Sequence, residues 1–194
     1  MKLSVRILRI FSIMKYKIMS DCKNVTGKPK YLQPALLLGK GKIKFNKNVR
    51  FGIFPSPGFI GGYQYIEARS SESIIDFGDD VIVNNNCVFI SDGPGIYIGK
   101  RTMFGWNCEV FDSDFHDIKP ENRLSNSSMR KKVVIGDNVM IGSNVKILKG
   151  VKIGDNSVIS NGTVVAHSIP ENTLVYSTPP KGGRLPDLSR WIKK

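Results

Sequence analysis

Histidine is scarce in this sequence, and acid is nearly missing from one end of it. The 194-residue chain holds two histidines, His116 and His167, too few for a three-histidine zinc centre. Its three cysteines, Cys22, Cys87 and Cys108, are an odd number, widely spaced and without a CxxC pair. That argues against a zinc or dithiol redox site and fits a reducing compartment. No metal is expected. No run of roughly 20 apolar residues is present to span a bilayer, and Arg6 and Arg9 break the apolar start that a secretory signal would need. Residues 1–50 contain a single acid, Asp21, against 13 of the 29 lysines and arginines, so the net charge of +13 is a property of the front of the chain. No base-stacking aromatic module accompanies that charge, and no nucleic-acid partner is expected.

The front segment, MKLSVRILRIFSIMKYKIMS, sets Leu3, Ile7, Phe11, Met14 and Ile18 at helical spacing, with Lys2, Arg6, Arg9, Lys15 and Lys17 among them. A basic amphipathic helix follows. Two readings stay open: a helix packed on the domain, or one in which residues 1–20 contact an anionic membrane surface.

Between Val133 and Pro170 the chain repeats every six residues. Ile135, Ile141, Ile147, Ile153, Ile159 and Val165 follow one another without a slip, and Val133, Val139, Val145, Val151, Ser157 and Thr163 run two positions ahead. Six fits neither an α-helix nor a tight hairpin. It fits a triangular prism in which each hexad is one side, three sides make an 18-residue coil, and Ile135 stacks on Ile153 as a parallel neighbour about 4.8 Å away. Gly136, Gly142 and Gly154 are read as the turning residues, with Asp or Asn after them. The period recurs upstream at Phe77, Val83 and Phe89, at Ile98, Phe104 and Val110, and begins near Phe45 and Phe51. The expected organisation is a basic segment 1–40, a parallel β-helix domain 41–170 with loops inserted at 52–72 and 112–132, and a tail 171–194. His116 lies in the second loop, and loops on a rigid scaffold are where function is usually carried.

The run IGDNVMIGSNVKILKGVKIGDNSVISNGTVVAHSIPEN resembles the hexapeptide-repeat acyltransferases over roughly residues 60–185. That resemblance implies a mainly β, left-handed parallel β-helix. It also implies a homotrimer that takes acetyl-CoA as co-substrate and shares each active site between two subunits. The stretches YQYIEARSSESIIDFGDDVIVNNN and DSDFHDIKPENR look like the branch that O-acetylates sugars of bacterial surface polysaccharides, and are similar to maltose and galactoside acetyltransferases. A sugar acceptor and a cytoplasmic location are therefore expected, with peripheral contact at the inner membrane face through residues 1–20.

Carried onto this sequence, the resemblance makes His116 the general base. A sugar hydroxyl does not ionise unaided, whereas an ordinary imidazole, with a pKa of about 6.5, is mostly neutral near pH 7 and can take the proton as attack proceeds. Asp112, Asp114, Asp117 and Glu121 are all near enough in sequence to orient the ring, and Asp114 is taken as the candidate. Ser143 and Gly142 are implied at the thioester, as oxyanion donors. Asn84, first of Asn84–Asn85–Asn86, is implied both in catalysis and in acceptor binding, beside Asp92, Glu67 and Arg69. Backbone groups near Asn161 and Gly162, and the charges of Lys181 and Arg184, are implied for coenzyme A. Ala166 and His167 stand where the family carries Thr-Lys, and YSTPPK where it carries AGNPAK; His167 reads as a surface residue. The aromatics Phe54, Phe59, Tyr63 and Tyr65 read first as anchors of the 52–72 loop. Two alternatives share the repeat: an N-acetyltransferase of an amino sugar or small amine, and a catalytically inactive binding solenoid.

Overall fold

The computed structural model describes residues 1–117, 119–125, 128–176 and the backbone of 182–184. An N-terminal helix, α1 (Leu3–Met19), precedes a left-handed parallel β-helix of three sheets. The first face stacks β1 (Asn24–Thr26), β4 (Lys42–Phe45), β7 (Ile74–Phe77), β10 (Ile96–Ile98), β13 (Val133–Ile135) and β16 (Lys152–Ile153). The second stacks β2 (Lys30–Tyr31), β5 (Arg50–Phe51), β8 (Ile82–Val83), β11 (Met103–Phe104), β14 (Met140–Ile141), β17 (Val158–Ile159) and β19 (Thr173–Val175), with β20 (Gly182–Arg184) antiparallel at its end. The third stacks β3 (Ala35–Leu38), β6 (Gln64–Ala68), β9 (Val88–Ser91), β12 (Glu109–Phe111), β15 (Lys146–Ile147) and β18 (Val164–Val165).

The register is the one the six-residue period predicts: Ile135 pairs with Ile153, Ile141 with Ile159, and Ile147 with Val165. All six are buried, as are Val133, Val139, Val145, Val151, Ser157 and Thr163. Towards the N-terminus the aliphatic column becomes aromatic. Phe77 contacts Phe45, Phe51 and Phe89 at ring-centroid distances of 5.3, 5.4 and 5.0 Å, and Phe104 follows Phe89 at 5.3 Å.

Four expectations need correction. The coil starts at Asn24, not near residue 41, because β1 to β3 supply a complete first turn with Val25, Tyr31 and Leu37 against the core. The first inserted loop ends at Tyr63: Gln64–Ala68 is a strand of the third face with alternating burial, so 64–68 belongs to the prism. Past residue 170 the coil continues, since Thr173–Val175 extends the second face. And Gly136, Gly142 and Gly154 are not the left-handed residues of their turns. Asn138, Asn144 and Asn156 are, at φ of 55°, 57° and 57°, a conformation asparagine tolerates, while Gly150 and Gly162 take that role at the other turns, at 78° and 72°. Gly142 serves close stacking instead: a Cβ there would sit 2.5 Å from Asn161 Oδ1 and 2.6 Å from the Asn161 nitrogen.

The second loop runs between the end of β12 at Phe111 and the start of β13 at Val133. It leaves the edge between the third and first faces, called the loop edge below. Asn84 to Asn86 lie on the edge between the second and third faces, called the asparagine edge.

Candidate active site

The loop that carries His116 has a rigid stem. The buried Asp112 carboxylate accepts hydrogen bonds from Ser91 Oγ at 2.7 Å and from the backbone N–H groups of Asp92 and Gly95, both at 2.8 Å. The returning strand closes the stem, with Lys131 N–H donating to the Asp112 carbonyl at 2.8 Å and a bridge between Ser113 and Arg130. Phe115 then takes a φ of 62°, which costs a bulky side chain about 1–3 kcal/mol and persists only where its surroundings enforce it. Here they do. Ser113 Oγ accepts from the Phe115 N–H at 2.9 Å, and the Phe115 ring lies against Phe111 and under the Arg69 guanidinium, 4.9 Å from its centroid.

That turn presents His116. Its Nδ1 is 2.8 Å from the Arg123 carbonyl oxygen. A carbonyl only accepts, so Nδ1 carries hydrogen and, in the neutral ring, Nε2 is left with a free lone pair. In the single chain the ring is exposed.

Asp114 does not orient this ring. Its carboxylate is 2.7 Å from Lys149 Nζ, on the body of the prism, and the Arg123 carbonyl takes the position expected for an acid. The acceptor candidates on the loop edge are also engaged. Glu67 receives a two-pronged contact from Arg69 at 3.0 and 3.1 Å and the Tyr65 hydroxyl at 3.1 Å. Burial, and then the charge of Glu67, push the Tyr65 phenol up, while the bond to Glu67 raises Arg69 further. Asp92 pairs with Arg130 at 3.2 Å. Arg69 and Asp92 thus brace the loop. The aromatics of residues 52–65 include clear anchors: Phe59 is buried against Phe54, and Tyr63 stacks on Tyr16 of α1 at 4.4 Å.

On the asparagine edge, the three consecutive asparagines differ. Asn85 is buried and holds the first loop through Ile53, Ser56 and Pro57. Asn86 joins Gln33. Asn84 uses Oδ1 on the Asn85 N–H at 2.7 Å, and its Nδ2 has no partner among the described residues. Successive coils then bring Gly105 and Trp106, Gly142 and Ser143, and Ser160 and Asn161 to the same edge. The Ser143 N–H donates to Asn161 Oδ1 at 2.7 Å and the Gly162 N–H to the Ser143 carbonyl at 2.8 Å. Those two amides, expected at the thioester and at coenzyme A, are therefore occupied, whereas Ser143 Oγ has no partner among the described residues. Gly162 itself takes a φ of 72° with open space beside it. Lys181 lies outside the described residues, and of Arg184 only the backbone is described, opposite Thr173. His167 is exposed, as expected.

Sequence reasoning missed the Arg123 carbonyl, which carries no side-chain signal, and half-buried Trp106. The tryptophan could have been found from its place one coil before Ser143. Beneath this edge Cys87 donates to the Gly105 carbonyl, and burial pushes its thiol well up, so it remains neutral. A cleft of about 690 Å³ lined by Lys28, Lys30, Arg50 and Arg101 sits on the remaining edge and contains none of these residues.

Residues 132–167 match the family model described as bacterial transferase hexapeptide (six repeats). Over those residues the chain is similar to the hexapeptide-repeat family. The chain is 37% identical over 105 residues to a galactoside O-acetyltransferase of Lactococcus lactis, an alignment covering 54% of this chain and 50% of that one. It spans about half the length of the curated relatives it matches. Among solved structures, a maltose O-acetyltransferase from Clostridium difficile is 22% identical with a TM-score of 0.55, over 95% of this chain and 89% of that one. A hexapeptide-repeat acetyltransferase from Vibrio cholerae is 20% identical with a TM-score of 0.54, over 95% and 93%. Those two likenesses concern the fold.

Proposed function

We propose that this protein moves an acetyl group from acetyl-CoA to a sugar hydroxyl during surface polysaccharide synthesis in the cytoplasm, with His116 as general base. The observation that carries the reading is the imidazole whose Nδ1–H is fixed by the Arg123 carbonyl, leaving Nε2 to accept a proton. The Lactococcus lactis relative, a galactoside O-acetyltransferase, supports the substrate class.

In this scheme the acceptor oxygen attacks the thioester carbonyl as Nε2 takes its proton. The oxyanion is met by Ser143 Oγ and Asn84 Nδ2. Collapse expels the coenzyme A thiolate, which recovers the proton from the imidazolium. The occupied Nδ1 keeps the ring from turning through both transfers.

Within one chain, His116 sits at the loop edge and the donors at the asparagine edge, at opposite ends of the third face, a separation on the order of 15 Å from the strand rise. A complete site therefore needs the loop edge of one copy against the asparagine edge of another. A homotrimer with closed threefold symmetry supplies three such junctions.

The test is thiol release from acetyl-CoA with a panel of sugar hydroxyl and amino-sugar acceptors. His116→Ala is expected to lower turnover by at least ~100-fold with an unchanged circular dichroism spectrum. Unchanged turnover in that variant would remove His116 as the base; no thiol release from the parent chain with any acceptor would favour a binding solenoid; exclusive use of amine acceptors would favour N-acetylation.

A further inference from the structure

The strongest unexplained feature is the direction in which α1 faces. A helix on a protein surface ordinarily turns its apolar stripe inward. This one does the opposite. Leu3, Ile7, Ile10, Phe11, Met14 and Ile18, which share one arc of the helix, are each between 46 and 81% exposed. The arc that meets the body comprises Val5, Arg9, Ser12, Ile13 and Tyr16, all half-buried. It is fixed there by the Tyr16–Tyr63 stack and by Ser20, whose hydroxyl donates to the Tyr16 carbonyl at 2.8 Å and accepts from the Leu37 N–H at 2.9 Å.

The outward arc has charged borders. At 3.6 residues per turn, Arg6 and Lys17 fall about 80–100° to one side of its centre and Lys15 about 80° to the other. No acid occurs in Leu3–Met19. No helix among the described residues is long and apolar enough to cross a membrane. Six large apolar side chains form a contiguous exposed patch of the kind that marks an interaction surface, and long cationic side chains on its flanks can keep their heads at the level of lipid phosphates.

We infer that α1 lies flat on an anionic membrane surface, with Leu3, Ile7, Phe11, Met14 and Ile18 in the acyl boundary and Arg6, Lys15 and Lys17 on the headgroups. Charge decides between lipid and the same helix of a second copy as the occupant. Two such helices face to face would set like charges together with no acid on either to offset them, whereas anionic lipid neutralises every one. The lysines of the first coils, Lys23, Lys28, Lys30, Lys40 and Lys42, extend the same sign beyond the helix. This inference stands apart from the acetyl-transfer reading.

The test is flotation of the full chain with vesicles of phosphatidylcholine alone and with vesicles part-replaced by phosphatidylglycerol, alongside the chain's mass in solution as a function of concentration. Flotation with the phosphatidylglycerol vesicles only, falling at least ~10-fold from low to high salt, supports the inference. So does its loss in Phe11→Asp/Ile18→Asp, whose altered side chains are mostly exposed, and its weakening in Lys15→Glu/Lys17→Glu. Equal flotation with both vesicle types, or with neither, overturns it. So does a concentration-dependent rise in mass that Phe11→Asp/Ile18→Asp abolishes, which would make the patch a self-association surface.

Discussion

A single carbonyl decides what His116 can do. Had an acid held Nδ1, as the neighbouring sequence suggests, the ring would be tied to a charge; the Arg123 carbonyl fixes the same tautomer without one. Asp114→Asn is therefore expected to change turnover by only a few-fold and stability by less than about 1 kcal/mol, since its ion pair with Lys149 is partly exposed. A 100-fold fall in the acetyl-transfer assay would return the orienting role to Asp114. Asp112 is the acid that matters for the loop. Asp112→Ala strands two amides and a hydroxyl in the interior and should cost about 2–4 kcal/mol in urea unfolding, with turnover falling because the stem loosens. The sequence made His116 visible, because one histidine between two periodic segments stands out. It could not rank four nearby acids, since which of them faces the ring depends on the left-handed turn at Phe115 and on Lys149, 35 residues further along.

The coils were legible in proportion to the regularity of their inward residues. From Val133 onward each hexad places a β-branched or small residue at both inward positions, and the predicted register is the one found. The first coil carries the same spacing at Val25, Tyr31 and Leu37, yet three different residue types among lysines hide it. Gln64–Ala68 was lost in a Gly- and aromatic-rich neighbourhood because buried Gln64 breaks the apolar pattern; it is satisfied by Gln33 and the Asn84 carbonyl. The glycines illustrate a different limit. Sequence shows where a small residue is needed but not whether a turn or a neighbouring coil demands it. Gly142→Ala tests the second cause: the added methyl meets the Asn161 backbone, which should cost about 1–3 kcal/mol in thermal or urea unfolding. An unchanged midpoint would contradict the close-stacking role.

At the scale of the whole molecule, the proposed scheme calls for more than one chain because of the prism. It is stiff, it holds every proposed group on one of two edges, and those edges do not meet. The sequence could offer candidate residues but not their division between edges, because the edge a corner occupies depends on counting faces through two loops of unequal length. The division has a direct consequence for mixed assemblies. His116→Ala removes the base from the loop edge, and Asn84→Ala removes a donor from the asparagine edge; each variant alone should be nearly inactive. If junctions form between copies, co-expression of the two in equal amounts leaves about one in four junctions with both edges intact in randomly assembled trimers. The acetyl-transfer rate of the purified mixture is expected at about a quarter of the parent rate. A mixture no more active than the sum of its two inactive components would mean that base and donors act within a single chain, and the shared-site account would fail.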